Sequence, residues 1–289
     1  MKKILKFFGI LMLIGIIGGA VAGGSGDSDK KDISSGSGDS GSDVTIEEQV
    51  LIDKNDVVIK AKEYVEDSIW GQGIKLEIEN KSSKDVIVGC DALIVNNYMI
   101  TDLFSANVAA GKKSNETMYL SSSGLEAAGI DAVGQIEVYF KLVNPETYMD
   151  IKDFDCVTIK TSEYDNMDTK ADDSGVELYN KNGIRIVGKA VDENSFWGMG
   201  ILLYCENKSG KNVGISVEDL SVNGYMMETL FSNIVYKDKM LVDDITLFES
   251  DLEENGIESI DNAEMKFRIY NADTFDTIDE SAVVTFSTK

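Results

Sequence analysis

A single offset of 127 residues runs through most of this chain, and it restricts the fold more than any other feature. Trp70-Gly71-Gln72-Gly73-Ile74 returns as Trp197-Gly198-Met199-Gly200-Ile201. Without a gap, Glu79-Asn80-Lys81-Ser82 returns as Glu206-Asn207-Lys208-Ser209, and Val95-Asn96-Asn97-Tyr98-Met99 as Val222-Asn223-Gly224-Tyr225-Met226. Leu103-Phe104-Ser105, Leu125-Glu126, Gly129-Ile130 and Val157-Thr158 recur at the same distance. A fixed period of this length marks a duplicated domain. The copies span about Val50 to Ser162 and Val176 to Lys289, joined by a polar, acidic segment over 163–175. Each has the size of one small sandwich domain.

Within a copy the hydrophobic period is two. Ile74, Leu76 and Ile78 alternate with Lys75, Glu77 and Glu79, and Val138, Phe140 and Leu142 share one face, answered by Met265, Phe267 and Ile269. Alternation of this kind specifies half-buried strands. Further strands are expected at Val57 to Lys62, Val86 to Cys90, Glu116 to Leu120 and Cys156 to Lys160. Asn96-Asn97 and Asn223-Gly224 suit two-residue hairpins that need positive φ. Ser123-Gly124-Leu125-Glu126 and Ser250-Asp251-Leu252-Glu253 read as capping boxes of one short helix per copy, closed by Gly129 and Gly256. The fold class expected is all-β: two tandem immunoglobulin-like antiparallel β-sandwich domains, each with one short helix that crosses between its sheets.

The N-terminus has a different character. Basic Met1-Lys2-Lys3 precedes an apolar and glycine stretch from Phe7 to Ala22 that ends in Ala20-Val21-Ala22. Two readings of residues 1–22 stand: a signal peptide with a small-residue cleavage site, or an uncleaved membrane anchor. Either one exports the remainder of the chain, to the cell surface or beyond. Residues 23–49 begin with a run of Gly, Ser, Asp and Lys too polar to bury a core, and read as a disordered linker.

With these features the chain resembles the immunoglobulin-like extracellular domains of bacterial surface proteins, which carry a leader or anchor, a Gly/Ser tether and strand-Asn-Lys-Ser-strand turns. That resemblance implies export and a binding or scaffold role. It carries over no functional residue, and the paired cysteines of antibody-type domains are missing.

Composition removes several chemistries. There are 27 Lys and Arg against 51 Asp and Glu, a net charge of −24, which repels nucleic acid and anionic membrane surfaces. The absence of histidine excludes Ser-His-Asp and Cys-His catalysis and histidine-ligated metals. A carboxylate-based enzyme stays open as a remote alternative, needing a concave pocket with two acids at catalytic separation. No cofactor is expected. Asp172-Asp173 and Asp243-Asp244 read as solvated acids, with calcium as the alternative, and no metal site is assigned. Cys90, Cys156 and Cys205 match Val217, Val283 and Ile78 in the other copy and so read as small core hydrophobes. A Cys90–Cys156 disulfide and a reactive thiol are the alternatives.

Four aromatics are candidate binding residues. Trp70 and Trp197 are either core plugs, with glycines allowing close packing, or exposed platforms for a sugar or peptide. Tyr98 and Tyr225, at the hairpins, are either cross-strand packing or a second contact surface. The function expected is a non-catalytic, exported interaction module for a cell-envelope protein or glycan, touching a membrane only through residues 1–22. The alternative is a structural spacer without a dedicated ligand.

Overall fold

The computed structural model describes residues 44–67, 70–101, 104–195 and 198–288. The leader and most of the polar segment after it lie outside that range, as does Trp197. The first copy contains β1 (Gln49–Lys54), β2 (Val57–Asp67), β3 (Gly71–Asn80), β4 (Val86–Val95), β5 (Tyr98–Ile100), β6 (Ser105–Val108), β7 (Lys113–Tyr119), α1 (Ser122–Ala127), β8 (Gln135–Val143), β9 (Asp150–Asp153) and β10 (Val157–Lys160). The second repeats the order: β11 (Val176–Lys181), β12 (Ile184–Ser195), β13 (Gly198–Asn207), β14 (Val213–Val222), β15 (Tyr225–Met226), β16 (Ser232–Val235), β17 (Lys239–Phe248), α2 (Glu249–Glu254), β18 (Asn262–Asn271), β19 (Thr277–Glu280) and β20 (Val284–Ser287).

In each copy the first sheet runs β1-β2-β3-β7 or β11-β12-β13-β17. The second is centred on the antiparallel pair β4–β8 or β14–β18, with β9 and β10, or β19 and β20, on the far side. Apart from the N-terminal hairpin strand, this is the immunoglobulin-like division, with one strand pair (β3–β7) facing a sheet built on another (β4–β8–β10). The inward positions fill the space between sheets: Ile74, Leu76, Ile78, Val138, Phe140 and Ile159 are buried in the first copy, and Ile201, Leu203, Cys205, Met265 and Phe267 in the second.

The helices cross between sheets as expected, but their caps differ from the expectation. Ser121, not Ser123, caps α1, its Oγ accepting from the Gly124 amide at 3.2 Å. The N-cap of α2 is Phe248, with no side-chain hydrogen bond. The S-x-x-E run therefore lies inside the helix rather than opening it. Gly129 and Gly256 do close the turns, at φ of 66° and 65°, where a residue with a Cβ is strained.

Two side-chain amides per copy hold the loops in place, both buried in the first copy and one buried in the second. Asn80 is fully buried; its Nδ2 donates to the carbonyls of Lys84 (2.7 Å) and Val108 (2.9 Å), and its Oδ1 accepts from the Ser82 amide (3.0 Å) and hydroxyl (2.7 Å). Asn207 repeats all four bonds, with Lys211, Val235 and Ser209. Every hydrogen-bonding position of the amide is used. The second amide fixes the hairpin. Asn96 and Asn97 take φ of 47° and 72°, and Asn96 donates to the Ala132 carbonyl while accepting from the amides of Gly134 and Gln135. Asn223 does the same with Ser259, Asp261 and Asn262. The strands after these turns, β5 and β15, are thereby aimed by side chains that the sequence supplies twice.

The two sandwiches share a sheet. β5, at the edge of the first, pairs in parallel with β17 of the second, Tyr98 opposite Met240 and Met99 opposite Leu241, making one ten-stranded sheet. The outward face of the second sandwich's first sheet covers this junction: Val187, Tyr204 and Val242 are buried within the first sandwich's core, with Leu202 and Met240 packed beside them. Met99 packs reciprocally against the second core. Lys239 ties the rim, pairing with Glu137 and donating to the Asn97 side chain at 3.1 Å, while the rings of Tyr139 and Tyr236 meet edge to face at 4.8 Å. The segments flanking the first sandwich are also docked. Ile46 bridges to Thr161, and in 163–175 Asp172 pairs with Lys189 and Asp173 with Arg185.

Two substitutions probe these contacts. Asn80→Ala removes four hydrogen bonds, to the Lys84 and Val108 carbonyls and from the Ser82 amide and hydroxyl, and is expected to cost about 2–4 kcal/mol in urea unfolding, against less than about 0.5 kcal/mol for Lys81→Ala on the surface. Tyr204→Glu installs the residue that the first copy carries there, Glu77, so the second sandwich itself should survive. The junction, however, acquires a buried charge worth about 3–5 kcal/mol. One calorimetric transition should split into two, and small-angle scattering should show the sandwiches separating.

Candidate functional site

The Trp-Gly-x-Gly-Ile motif divides into two roles. Its glycines serve close packing: a Cβ on Gly73 would sit 2.9 Å from the Met118 carbonyl, and one on Gly200 would sit 2.4 Å from the Asp244 carboxylate. Gly71 adds a left-handed φ of 78°. The tryptophan does not plug the core. Trp70 is 63% exposed, and its ring lies 6.2 Å from Tyr119 at a tilt of 35°. Its amide donates to the Asp67 carboxylate at 2.9 Å, which turns the chain outward before β3 begins.

Tyr98 and Tyr225 occupy equivalent places in the two copies and meet different fates. Tyr98 is 6% exposed, covered by the second sandwich, and burial there raises its hydroxyl pKa, with the neighbouring Asp172 adding to the shift. Tyr225 is 50% exposed, and Met226 beside it 68%. β15 ends its sheet, pairing with β14 through Ser221 opposite Met226 and Val222 opposite Tyr225. Leu230, a few residues further, is also exposed. The structure therefore does not bring the three described candidates together. Trp70 sits at the β2–β3 connection of the first sandwich, Tyr98 inside the junction and Tyr225 on the open edge of the second.

Apart from Tyr98, the residues that make the junction are not among the candidates that motifs and spacing point to, although the repeat contains a signal for them. At outward strand positions the first copy has Lys60, Lys75, Glu77, Lys113 and Asn115, where the second has Val187, Leu202, Tyr204, Met240 and Val242. In the first copy these side chains form surface ion pairs, Glu77 with Lys60 at 3.2 Å and with Lys113 at 3.4 Å. In the second they are apolar and need a cover. A polar-to-apolar change at five outward positions marks a face that docks.

Cys90, Cys156 and Cys205 form no disulfide with one another. Cys205 is buried, and desolvation pushes its pKa up. Cys156 lies in the junction beside Tyr139; burial, and then the charge of Glu137, raises its pKa as well. Both stay protonated, which removes the thiolate that reactivity requires. The counterpart of Cys156, Val283, is 56% exposed, so this is a junction position and not a core one.

The concavities differ in what they gather, and one of about 510 Å³ is lined by Glu48, Glu63 and Glu116 together with Lys62 and Lys75. A groove of about 620 Å³ between the 45–49 segment and β10 has Glu47 as its one lining carboxylate among the described residues. The cleft between α1 and β17 does gather Asp192, Asp243 and Asp244, and burial raises the pKa of Asp243. At about 150 Å³ it is smaller than the roughly 300–1,000 Å³ of ordinary ligand sites. Among the described residues, no group of three or more Cys, Asp or Glu is placed to hold a metal ion, and no helix is long and apolar enough to cross a membrane.

No protein-family model and no curated protein matches the chain. Among solved structures, the YadV chaperone aligns over 80% of this chain and 99% of its own, at 14% identity and a TM-score of 0.24. A complex of the Salmonella enterica SafA pilin with the SafB chaperone aligns over 74% of this chain and 88% of that one, at 13% identity and a TM-score of 0.22. Red sea bream transglutaminase follows at 9% identity and 0.17, over 84% of this chain and 31% of its own. Likeness at this level carries no functional argument, and the immunoglobulin-like assignment rests on strand order and register.

Proposed function

We propose that the chain is a non-catalytic, exported interaction module of the cell envelope, whose two sandwiches act as one stiff body and whose contact surface is the open β15 edge. The observation that carries this reading is the pair Tyr225–Met226. These residues are solvent-exposed at a sheet edge, while the same two side chains in the other copy, Tyr98–Met99, are in use holding a protein domain. Export is supported by the layout of residues 1–22, and the absence of catalysis by a sequence without histidine. A protein partner suits an edge strand flanked by Met and Leu better than a glycan does, because unpaired backbone groups and flexible apolar side chains recognise another strand. Trp70 is the one described feature that suits a sugar face.

A rigid spacer is the second reading. The continuous ten-stranded sheet favours it, since a sheet shared between domains resists bending at the junction.

The test uses intact cells expressing the full chain with a photo-crosslinking residue at position 226 or, as a control, at position 148, where Tyr148 is also exposed. A discrete adduct of an envelope protein at 226 but not at 148, with the chain accessible to external protease, is the expected outcome. Equal or absent adducts at both sites would leave the spacer as the function. A protease-protected chain would refute export.

A further inference from the structure

The junction inside this chain has two halves, and the repeat supplies each half a second time. The first half is a socket: a two-residue or three-residue strand carrying Tyr and Met, aimed by the hairpin amide, with a glutamate on the strand next but one in the sheet. In the first sandwich it is Tyr98, Met99, Asn96 and Glu137, and it is filled. The second half is a plug: an edge strand opening with Lys239 and an outward face of Val187, Leu202, Tyr204, Met240 and Val242.

Applying the 127-residue offset shows what is left over. At the far end of the second sandwich the socket persists as Tyr225, Met226, Asn223 and Glu264, with Tyr225, Met226 and Glu264 exposed and Asn223 making the same three backbone bonds as Asn96. Several rim positions change, among them Asn97 to Gly224, which removes the side chain that accepts from Lys239, Tyr139 to Lys266, Ala127 to Glu254, Ala128 to Asn255 and Cys156 to Val283. At the near end of the first sandwich the plug is absent. The residue before β7 is still a lysine, Lys112, but the face is the Lys60, Lys75, Glu77, Lys113, Asn115 set, satisfied by ion pairs and solvent. A head-to-tail junction that can repeat generates a filament unless one end is blocked. Here the N-terminal end is blocked by charge, as terminal repeats of stacked proteins are blocked by polar faces, and the C-terminal end is open.

We infer that the exposed β15 edge is a socket for one further sandwich domain of the plug-bearing kind. Its edge strand adds in parallel to β15, a lysine reaches Glu264 and an apolar outward face covers Tyr225 and Met226. Lys266 stands where Tyr139 meets Tyr236; its ammonium pairs with Asp219 at 2.6 Å and keeps that rim position charged. A second copy of this chain does not fit, because its own plug is filled from within and its N-terminal face is charged. This names the partner class for the surface in the proposed function and rests on that reading for its biological use.

The test builds the missing domain from the chain itself. The full chain is extended after Lys289 by a second copy of residues 163–289, which brings its own plug on its own connecting segment, and backbone hydrogen exchange is followed at Tyr225 and Met226. Exchange at these amides is expected to slow at least tenfold relative to the natural chain, and not to slow when the appended copy carries V187K, Y204E and V242N. Unchanged exchange in the extended chain, with the appended core strands protected, would overturn the inference. An independent arm keeps the natural length: K60V, K75L, E77Y, K113M and N115V give the first sandwich a plug. This variant is expected to form concentration-dependent oligomers in sedimentation, dispersed by M226E. A folded variant that stays monomeric overturns the socket equally. If the extended chain closes on β15 while cross-linking at 226 in cells yields nothing, the socket stands and the envelope role fails. The reverse pair of results rejects the socket and keeps the role.

Discussion

Strands place alternate side chains on opposite faces, so a sandwich whose inner face is filled has one surface left to commit, and the residues at its outward positions decide whether that surface meets water or protein. In the first sandwich the outward positions of β2, β3 and β7 carry Lys60, Glu77 and Lys113. In the second, Val187, Tyr204 and Met240 stand there. Magnitudes favour the second arrangement for docking. Full burial of a large apolar side chain is worth about 1.5–3 kcal/mol, whereas an exposed ion pair adds at most about 1 kcal/mol. Covering a face of five apolar side chains therefore outweighs anything the charged face contributes, and the architecture follows. The second sandwich presses its apolar face on the first, β5 and β17 join, and two domains become one sheet-linked body.

That docking works only if β5 is delivered to the right place, and the delivery is polar. Asn96 bonds to three backbone groups at the entry to β8, so the hairpin cannot swing without breaking all three. Asn80 does the comparable task at the other turn, tying the β3–β4 connection to the end of β6. A buried amide with every position bonded costs little and specifies geometry, since any altered loop leaves at least one polar group dry. The cysteines take no part in this. Cross-strand packing and four asparagines do what a disulfide does in antibody-type domains.

Strand positions, the two turns and the sandwich class were legible in the sequence because they rest on local rules: period two for strands, Asn at positive φ for hairpins, and a repeat that confirms each pattern once more. The helix caps were less legible. Ser121 and Ser123 are both competent acceptors, and which one caps α1 depends on where β7 releases the chain. Trp70 was ambiguous for a related reason, since a motif's glycines and its aromatic can serve different ends, and composition does not separate them. The junction was recoverable but hidden. Identity between copies draws attention to what is shared, while the docking face is encoded in what differs, such as Glu77 against Tyr204 at an outward position between two inward ones.

Identical residues carry different exposures for the same reason. Tyr98 and Tyr225 share the Tyr-Met pair, a two-residue hairpin and the anchoring amide, although Asn97 stands where the second copy has Gly224. The difference lies in whether another domain stands next in space. Cys156 and Val283 repeat the lesson: one half-buried against the next domain, the other open. In a tandem array, then, exposure of an apolar residue depends on whether a second domain covers it and not on the residue type alone. The N-terminal end of this array shows the opposite solution, because lysine and glutamate at the same strand positions make a surface that water alone satisfies. A polar face at one end and an apolar edge at the other give the molecule a direction, and any assembly it enters through β15 inherits that direction.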